Sequence, residues 1–152
     1  VGLPMSYHAH MGTIIQNEDD VEKFLNLTND NTNFLFDTGH LFFSQADCNN
    51  LLKKYISRIN HIHCKDIRKN ILDESLKNDL SFRNAFLKGV FTVPGDGCID
   101  YKLIFKILYE YKYQEWLVIE AEQDPIKANP FEYAKIGYKY LKINLSEIGY
   151  KV

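Results

Sequence analysis

Histidine is unevenly distributed along this chain, and the positions of its five histidines suggest chemistry. The segment "YHAHMGT" carries His8 and His10, "DTGH" carries His40, and "HIHCKD" carries His61 and His63. Each lies at or near the end of a short apolar run, and none follows residue 63. Imidazoles gathered at strand ends can bind a metal ion or transfer protons. They can equally cap loops or pack against aromatic rings, and the residue types alone leave both interpretations open.

Acidic residues occupy matching positions at other strand ends. Asp37 ends the segment "NFLFD", and Glu120 and Glu122 follow the apolar run "WLVI". With the histidines, they predict one mixed imidazole–carboxylate site for Mn, Co, Fe or Zn. Alternation along a strand places Glu120 and Glu122 on one face, so one carboxylate can bind metal while the other transfers protons. The alternative is a solvated Glu122 without such a role.

Lys65 follows His63 by two residues, so the two side chains should project from the same face of a strand. We expect Lys65 to stabilise negative charge that develops on a substrate oxygen. The alternative is that it pairs with Asp66 or Glu122 for structural reasons. Cys64 lies between His63 and Lys65, and it should face the opposite side as a small buried apolar residue.

Predicted strands and helices alternate along the sequence. The runs that predict strands are 3–10, 33–40, 59–66 and 115–124. The segments with helical periodicity are 17–28, 47–59, 101–113 and 129–145. The polar stretch 67–89 is predicted to hold short helices within an active-site loop, and 90–100 is predicted to form a hairpin or turn.

This alternation predicts an α/β fold with a parallel sheet, whose carboxyl edge carries the ligand site. The length of 152 residues fits a single domain that covers 1–152. Four βα units are half of a (βα)8 barrel, which usually needs about 250 residues. The sequence begins "VGLP" without an initiator Met, and we therefore expect a piece of a longer protein.

The overall composition argues against several classes of partner. The net charge of −2 and the pI near 6.2 give no broad basic field, so we expect no nucleic-acid partner. No apolar run approaches the ~20 residues that span a bilayer, and we expect no membrane partner. The three cysteines, Cys48, Cys64 and Cys98, are widely spaced, which is typical of reduced thiols in a cytoplasmic protein.

Five segments of the chain together resemble the inosose dehydratase family of the xylose isomerase-like TIM barrels. They are "YHAHMGT", "FLFDTGHLFF", "RINHIHCKDIR", "GVFTVPGDGCIDY" and "WLVIEAEQDP". Of the shorter motifs, "FTVPGDG" and "VIEAEQDP" are specific to this branch, whereas "DTGH" is shared with sugar isomerases and epimerases of the superfamily. The resemblance implies that the chain is the carboxyl-terminal half of a TIM-type barrel, which contains barrel strands five to eight.

The resemblance also implies a divalent metal that is held by four strand ends, with Mn or Co expected over Mg. The ligands carried over to this sequence are His8, Asp37, His63 and Glu120. His8 stands where the superfamily commonly has Glu, so this first ligand departs from the family pattern. His10 is the alternative first ligand, because alternation puts both imidazoles on the same side of the strand.

The reaction implied is the loss of water from 2-keto-myo-inositol, a small polyol ketone, in inositol catabolism. His40 and Lys65 are implied to bind substrate, and Glu122, Lys65 and His10 are the candidates for proton transfer. The alternatives are a metal-dependent sugar isomerase or epimerase on the same barrel, and an inactive fragment. We expect a homo-oligomer or pairing with the missing half barrel, because an unclosed sheet exposes its apolar face.

Overall fold

A computed structural model describes residues 3–152 and contains a four-stranded parallel sheet. Its strands, in spatial order, are β1 (Met5–His8), β2 (Thr32–Asp37), β3 (Ile59–Cys64) and β6 (Trp116–Ile119). A separate two-stranded antiparallel pair is formed by β4 (Asp66–Ile67) and β5 (Phe91–Thr92). The prediction of an α/β fold with a parallel sheet is confirmed.

Seven α-helices connect the strands within residues 3–152. They are α1 (Glu18–Leu27), α2 (Thr38–Phe43), α3 (Cys48–Tyr55), α4 (Lys69–Lys77), α5 (Phe82–Leu87), α6 (Tyr101–Glu110) and α7 (Pro130–Ile148). Local sequence explains several of their ends. Asn17 accepts a hydrogen bond from the backbone N–H of Asp20 at the start of α1, and Pro130 occupies the first turn of α7.

The prediction at "DTGH" was wrong about local structure. The sequence predicted that 33–40 is a short strand running into a glycine turn. Instead, β2 ends at Asp37 and α2 begins at Thr38, because the Asp37 carboxylate caps the helix by accepting the backbone N–H of His40. Gly39 is therefore a helical residue, and His40 projects from the first turn of α2 rather than from a strand.

The remaining predicted strands are longer than those observed. The strand predicted at 3–10 ends at His8, that at 59–66 ends at Cys64, and that at 115–124 ends at Ile119. The short helices predicted within 67–89 are confirmed as α4 and α5. Of the hairpin or turn predicted at 90–100, the turn is confirmed, since the Asp96 N–H donates to the Val93 carbonyl, and β5 pairs with β4 rather than within the segment.

The main apolar core lies between the sheet and the helices that cover it. Phe34, Phe36, Ile62 and Cys64 of the central strands are fully buried, which confirms the expected burial of Cys64. β1 and β6 form the edges of this sheet, and neither has a second strand partner within residues 3–152. Across the same residues, no helix is both long and apolar enough to span a bilayer.

Candidate functional site

The predicted site residues converge at the carboxyl edge of the four-stranded sheet. His8 is the last residue of β1, Asp37 is the last of β2, and Glu120 directly follows β6. The register places Asp37 beside His63 and His63 beside Val118, so the ends of neighbouring strands lie level. Because parallel strands end at one edge, side chains distant in sequence form one polar cluster.

The cluster divides into two parts according to solvent exposure. Asp37, His40 and Lys65 form the floor, and their side chains are 0%, 1% and 0% exposed. The other part, the rim, is partly open to solvent, with side-chain exposures from 17% to 36%. The rim consists of His8, His10, His63, Glu120 and Glu122.

Asp37 is the central carboxylate of the cluster. Its Oδ1 accepts the backbone N–H of His40 at 3.0 Å. Its Oδ2 lies 3.2 Å from His8 Nε2, 3.4 Å from His63 Nδ1 and 3.2 Å from Lys65 Nζ. Burial alone would raise the pKa of Asp37, but the two imidazoles and the Lys65 charge outweigh burial and hold that pKa well below its usual value.

His63 and Glu120 face each other on the rim. His63 Nδ1 lies 2.7 Å from Glu120 Oε2, yet neither atom has a well-oriented hydrogen-bond partner among residues 3–152. Burial would lower the pKa of His63, but Asp37 and Glu120 together raise it to about 9. Two buried ligand-type atoms that lie this close together without a directed hydrogen bond fit the donors of a shared metal ion.

Lys65 carries the buried cation of the floor. Its Nζ lies 3.2 Å from Asp37 Oδ2, 3.0 Å from Glu120 Oε2 and 2.5 Å from Glu122 Oε2. Burial would lower the pKa of Lys65, but these three carboxylates raise it, so the side chain is an ammonium at neutral pH. This contact with Glu122 is the structural pairing that the sequence left open, and the pairing with Asp66 is absent from residues 3–152.

Three residues that the sequence analysis did not single out determine the path of Lys65. A Cβ atom on Gly39 would lie 2.7 Å from Lys65 Cγ, so only glycine leaves room for the lysine side chain across α2. The Thr38 hydroxyl accepts the backbone N–H of Lys65 at 3.0 Å and contacts the Tyr101 hydroxyl at 2.7 Å. In the sequence, Thr38 and Gly39 belong to "DTG", which resembles an ordinary turn, and no motif marks Tyr101.

Glu122 joins the floor to the rest of the rim. Its Oε2 lies 3.2 Å from His40 Nε2, and its Oε1 lies 3.8 Å from His10 Nε2. Burial would raise the pKa of Glu122, but His40 and Lys65 lower it to about 2, so the carboxylate stays ionised. Phe82 of α5 contacts the rings of His10 and His40, with centroid distances of 5.7 and 5.9 Å. The stretch 67–89 therefore contributes an apolar wall to the cluster.

The donor atoms form three overlapping groups in which all atoms lie within 4.8 Å of one another. The groups are His8 with Asp37 and His40, His10 with His40 and Glu122, and Asp37 with His63 and Glu120. The last group combines one imidazole and two carboxylates, a donor set that suits a divalent transition metal. His8 contacts Asp37 of this group, whereas His10 contacts Glu122 outside it.

Comparisons with known proteins agree with this fold. The profile of the family described as xylose isomerase-like TIM barrel matches residues 2–143. An inosose dehydratase of Glaesserella parasuis is 50% identical over 145 residues, which cover 93% of this chain and 48% of that protein. An inosose dehydratase of Klebsiella pneumoniae is 46% identical over 144 residues, with the same coverage of 93% and 48%. The chain thus spans about half the length of the curated relatives it matches.

Solved structures show the same fold at low sequence identity. The IolI protein with a bound zinc atom superposes with a TM-score of 0.71 at 17% identity, over 99% of this chain and 51% of that one. A probable 3-DHS dehydratase, AsbF from Bacillus anthracis, gives a TM-score of 0.68 at 17% identity, over 90% and 48%. With the profile match over most of its length, the chain belongs to the xylose isomerase-like TIM barrel family.

Proposed function

We propose that this chain is part of a divalent-metal hydro-lyase that removes water from 2-keto-myo-inositol. One observation carries the proposal. The Lys65 ammonium contacts both the ionised carboxylate of Glu122 and Glu120 of a metal-type donor group. That donor group consists of Asp37, His63 and Glu120. A Lewis acid and a proton acceptor in one cleft together promote the elimination of water next to a ketone. The inosose dehydratases, 46–50% identical, supply the substrate class.

The proposed metal ligands are Asp37, His63 and Glu120, with His8 as the fourth. His8 is favoured over His10 because its Nε2 is 3.2 Å from Asp37, whereas His10 faces Glu122. Mixed imidazole and carboxylate donors suit Mn or Co, which are the ions we propose. When bound there, a divalent ion would act as a Lewis acid that polarises the substrate ketone.

The proton-transfer steps belong to residues of this chain. Glu122 is ionised, so its carboxylate takes the proton from the carbon next to the ketone, and the C–H electron pair moves toward the carbonyl. When that pair returns, the C–O bond of the β-hydroxyl breaks. His10, on the rim beside Glu122, supplies the proton with which this hydroxyl leaves as water. Lys65 supplies a fixed positive charge beneath these groups.

A proposal about the rest of the barrel follows from the sheet edges. We propose that residues 1–152 form one structural unit, the carboxyl-terminal half of a (βα)8 barrel. The backbones of β1 and β6 need strand partners to close such a barrel. We propose that the other half barrel supplies those partners, with a second copy of this chain as the alternative.

A metal-dependent sugar isomerase or epimerase is the second candidate. The L-ribulose 3-epimerase structure, at 16% identity and a TM-score of 0.64, shows that epimerases share this fold. The ligand set weighs against the candidate, because His8 stands where such enzymes carry a carboxylate that acts as a base. Assays with ketoses beside inosose distinguish the two reactions.

The test combines metal analysis with an assay of inosose dehydration in the complete protein. We expect Asp37→Ala and His63→Ala each to lose the bound metal and the activity together. His61→Ala is the matched control, since His61 lies on the same strand as His63 and belongs to none of the three donor groups. Full metal occupancy in Asp37→Ala or His63→Ala would contradict the proposed ligands.

A further inference from the structure

The backbone at Glu122 is held in an unfavourable conformation. Its φ is 43°, in the left-handed region that residues other than glycine rarely adopt. Such a conformation persists only where the surrounding structure fixes the chain around it. On the amino-terminal side, the Glu120 N–H donates to the Cys64 carbonyl at 3.3 Å, one residue beyond β6. A second anchor is expected among the residues that follow Glu122.

Gln123, the next residue, provides this second anchor. Its Nε2 donates to the Thr92 hydroxyl at 3.4 Å, and its Oε1 has no hydrogen-bond partner among residues 3–152. Beyond it, the Asp124 carbonyl accepts the backbone N–H groups of Lys127 and Ala128, which closes a turn. A hydrogen bond of 3.4 Å is long, so its effect depends on how firmly the Thr92 hydroxyl is itself held.

Two charged side chains hold the Thr92 hydroxyl. It donates to Asp96 Oδ2 at 2.6 Å and accepts from Arg68 Nη2 at 3.0 Å. Arg68 Nη2 also donates to Asp96 Oδ2 at 2.8 Å, so the three side chains form a closed set of contacts, the Thr92 network. The single hydroxyl proton of Thr92 goes to a carboxylate, so towards Gln123 the hydroxyl can only accept. This fixes which end of the Gln123 amide faces Thr92.

The Thr92 network is fastened to the backbone near the floor. Arg68 Nη1 donates to the carbonyl of Phe91, the residue before Thr92, at 3.0 Å. Thr92 is 0% exposed, and it lies opposite Asp66 in the antiparallel pair of β4 and β5. Asp66 directly follows Lys65 in the chain. The network is therefore built into the strand pair that begins next to the buried ammonium of the floor.

We propose that Thr92 is a positioning residue that acts through Gln123. By holding the Gln123 side chain, it keeps the adjacent Glu122 carboxylate in the place that the reaction requires. The inference rests on the proposed function, in which Glu122 accepts the substrate proton. It adds residues that belong to none of the three donor groups. It also gives a role to the motif "FTVPGDG", which supplies Thr92 and Asp96 and which the proposed metal site does not use.

The first test is the kinetics of two Thr92 variants in the complete protein. Thr92→Val removes the hydroxyl at nearly constant volume. We expect kcat for inosose dehydration to fall about 10-fold, while KM and the bound metal change by no more than about twofold. Thr92→Ser restores the hydroxyl, and we expect it to recover most of kcat. A Thr92→Val variant with wild-type kcat, or a Thr92→Ser variant as slow as Thr92→Val, would overturn the proposal.

Thr28→Val is the matched control. The Thr28 hydroxyl also accepts from an arginine, Arg58 Nη2, at 2.9 Å, but it lies after α1, close to the start of β2 and away from the carboxyl edge. We expect the two Thr→Val changes to affect unfolding similarly and Thr28→Val to leave kcat unchanged. An equal fall of kcat in both would show general destabilisation and would overturn the positioning role.

The second test asks whether Thr92 acts through Gln123. We expect Gln123→Ala to lower kcat about as much as Thr92→Val, and the double variant to be no slower than Gln123→Ala alone. Nitrogen NMR of the Gln123 side-chain amide, without substrate, gives a readout that does not need turnover. We expect its resonance to shift in Thr92→Val and to stay in place in Thr92→Ser and Thr28→Val. Additive losses of kcat, or an amide resonance that Thr92→Val leaves unchanged, would overturn the proposal.

The outcomes distinguish the role of Thr92 from the proposed function. A wild-type protein that binds metal but does not dehydrate inosose overturns the proposed function, and the role of Thr92 in that reaction with it. An active protein in which Thr92→Val changes neither kcat nor the Gln123 amide overturns the role of Thr92 alone. If Thr92→Val does not fold, Gln123→Ala decides, since wild-type kcat in that variant would overturn the proposal.

Discussion

The floor and the rim of the cluster use the same residue types in different ways. In the floor, the charges of Asp37 and Lys65 are buried, and each lies 2.5–3.4 Å from several charged or polar partners. On the rim, His10 has one carboxylate at 3.8 Å, and Glu120 is more than a third exposed. A buried charge that loses its partner is costly, whereas an exposed one is solvated by water. The floor should therefore contribute to folding, and the rim should contribute mainly to ligand binding.

The largest expected effect on stability is that of Lys65→Met. The change removes the cation that faces Asp37, Glu120 and Glu122, and it leaves a buried carboxylate without its main counter-charge. We expect the free energy of unfolding to fall by about 3–5 kcal/mol in denaturant titrations. Lys69→Met, at an exposed pair with Asp73, is the control, with an expected change within about 0.5 kcal/mol. Equal effects in both variants would mean that the buried charge of the floor contributes no more to stability than an exposed surface pair.

The next largest effect is expected for Gly39→Ala. The new Cβ would lie 2.7–2.9 Å from the Cγ, Cβ and Cδ atoms of Lys65, so the buried stem of the lysine must move. We expect a loss of about 1–3 kcal/mol in the free energy of unfolding, the usual cost of overpacking. Unchanged stability, measured by thermal and chemical unfolding, would mean that the floor adapts more easily than its close packing indicates.

A rim substitution should separate binding from folding. Glu120→Gln keeps the shape of a half-exposed side chain but removes the charge of a proposed metal ligand. We expect metal affinity to fall sharply, as measured by calorimetric titration, while the free energy of unfolding without metal changes by less than about 1 kcal/mol. Destabilisation as large as that of Lys65→Met would place Glu120 in the floor instead.

The smallest effect concerns Asp66, a buried carboxyl that has no cationic partner among residues 3–152. Its Oδ1 accepts the backbone N–H groups of Ile67 and Ile99, at 2.8 and 2.9 Å. Burial raises the pKa of Asp66 by more than the hydrogen bonds from these N–H groups lower it. At Asp37, by contrast, the surrounding cations lower the pKa. The folded chain thus holds the Asp66 proton more tightly than the unfolded chain, so its contribution to stability is present below about pH 4 and is lost as the pH rises through the raised pKa.

The variant Asp66→Asn isolates this contribution, because Asn does not titrate. We expect the stability of wild type relative to Asp66→Asn to decrease as the pH rises from about 4 through the raised pKa, as followed by chemical unfolding at each pH. The pKa of Asp37 is lowered, so the pH dependence of its contribution has the opposite sign. The stability that Asp37 contributes is lost as the pH falls. A relative stability that instead increases with pH would show that folding lowers the pKa of Asp66, as a positively charged partner would.

The sequence predicted the sheet and the place of the site because both follow from local patterns. Alternating βα units require parallel strands, and polar residues at their ends must then meet at one edge. What failed at "DTGH" was the boundary, because a carboxylate that ends a strand and caps a helix looks the same as one that precedes a turn. Helix α2 determines where His40 lies, because it directs the His40 side chain into the floor.

The division between floor and rim could not be predicted from the sequence. Alternation places Lys65 on the face of His63, but burial depends on packing against residues far along the chain. Lys65 is covered because Gly39 lacks a side chain and because Thr38 and Tyr101 hold the strand end in place. No local pattern links these positions, and only the tertiary structure brings them together.

The donor group of Asp37, His63 and Glu120 exists only when β2, β3 and β6 lie side by side in register. An ion that binds the group binds the folded chain and has no equivalent site in the unfolded one. Such selective binding stabilises the fold by an amount that grows with the free ion concentration, about 2.7 kcal/mol at a hundredfold excess over Kd. A bound ion would thereby lower the fraction of unfolded chain that proteases can cleave.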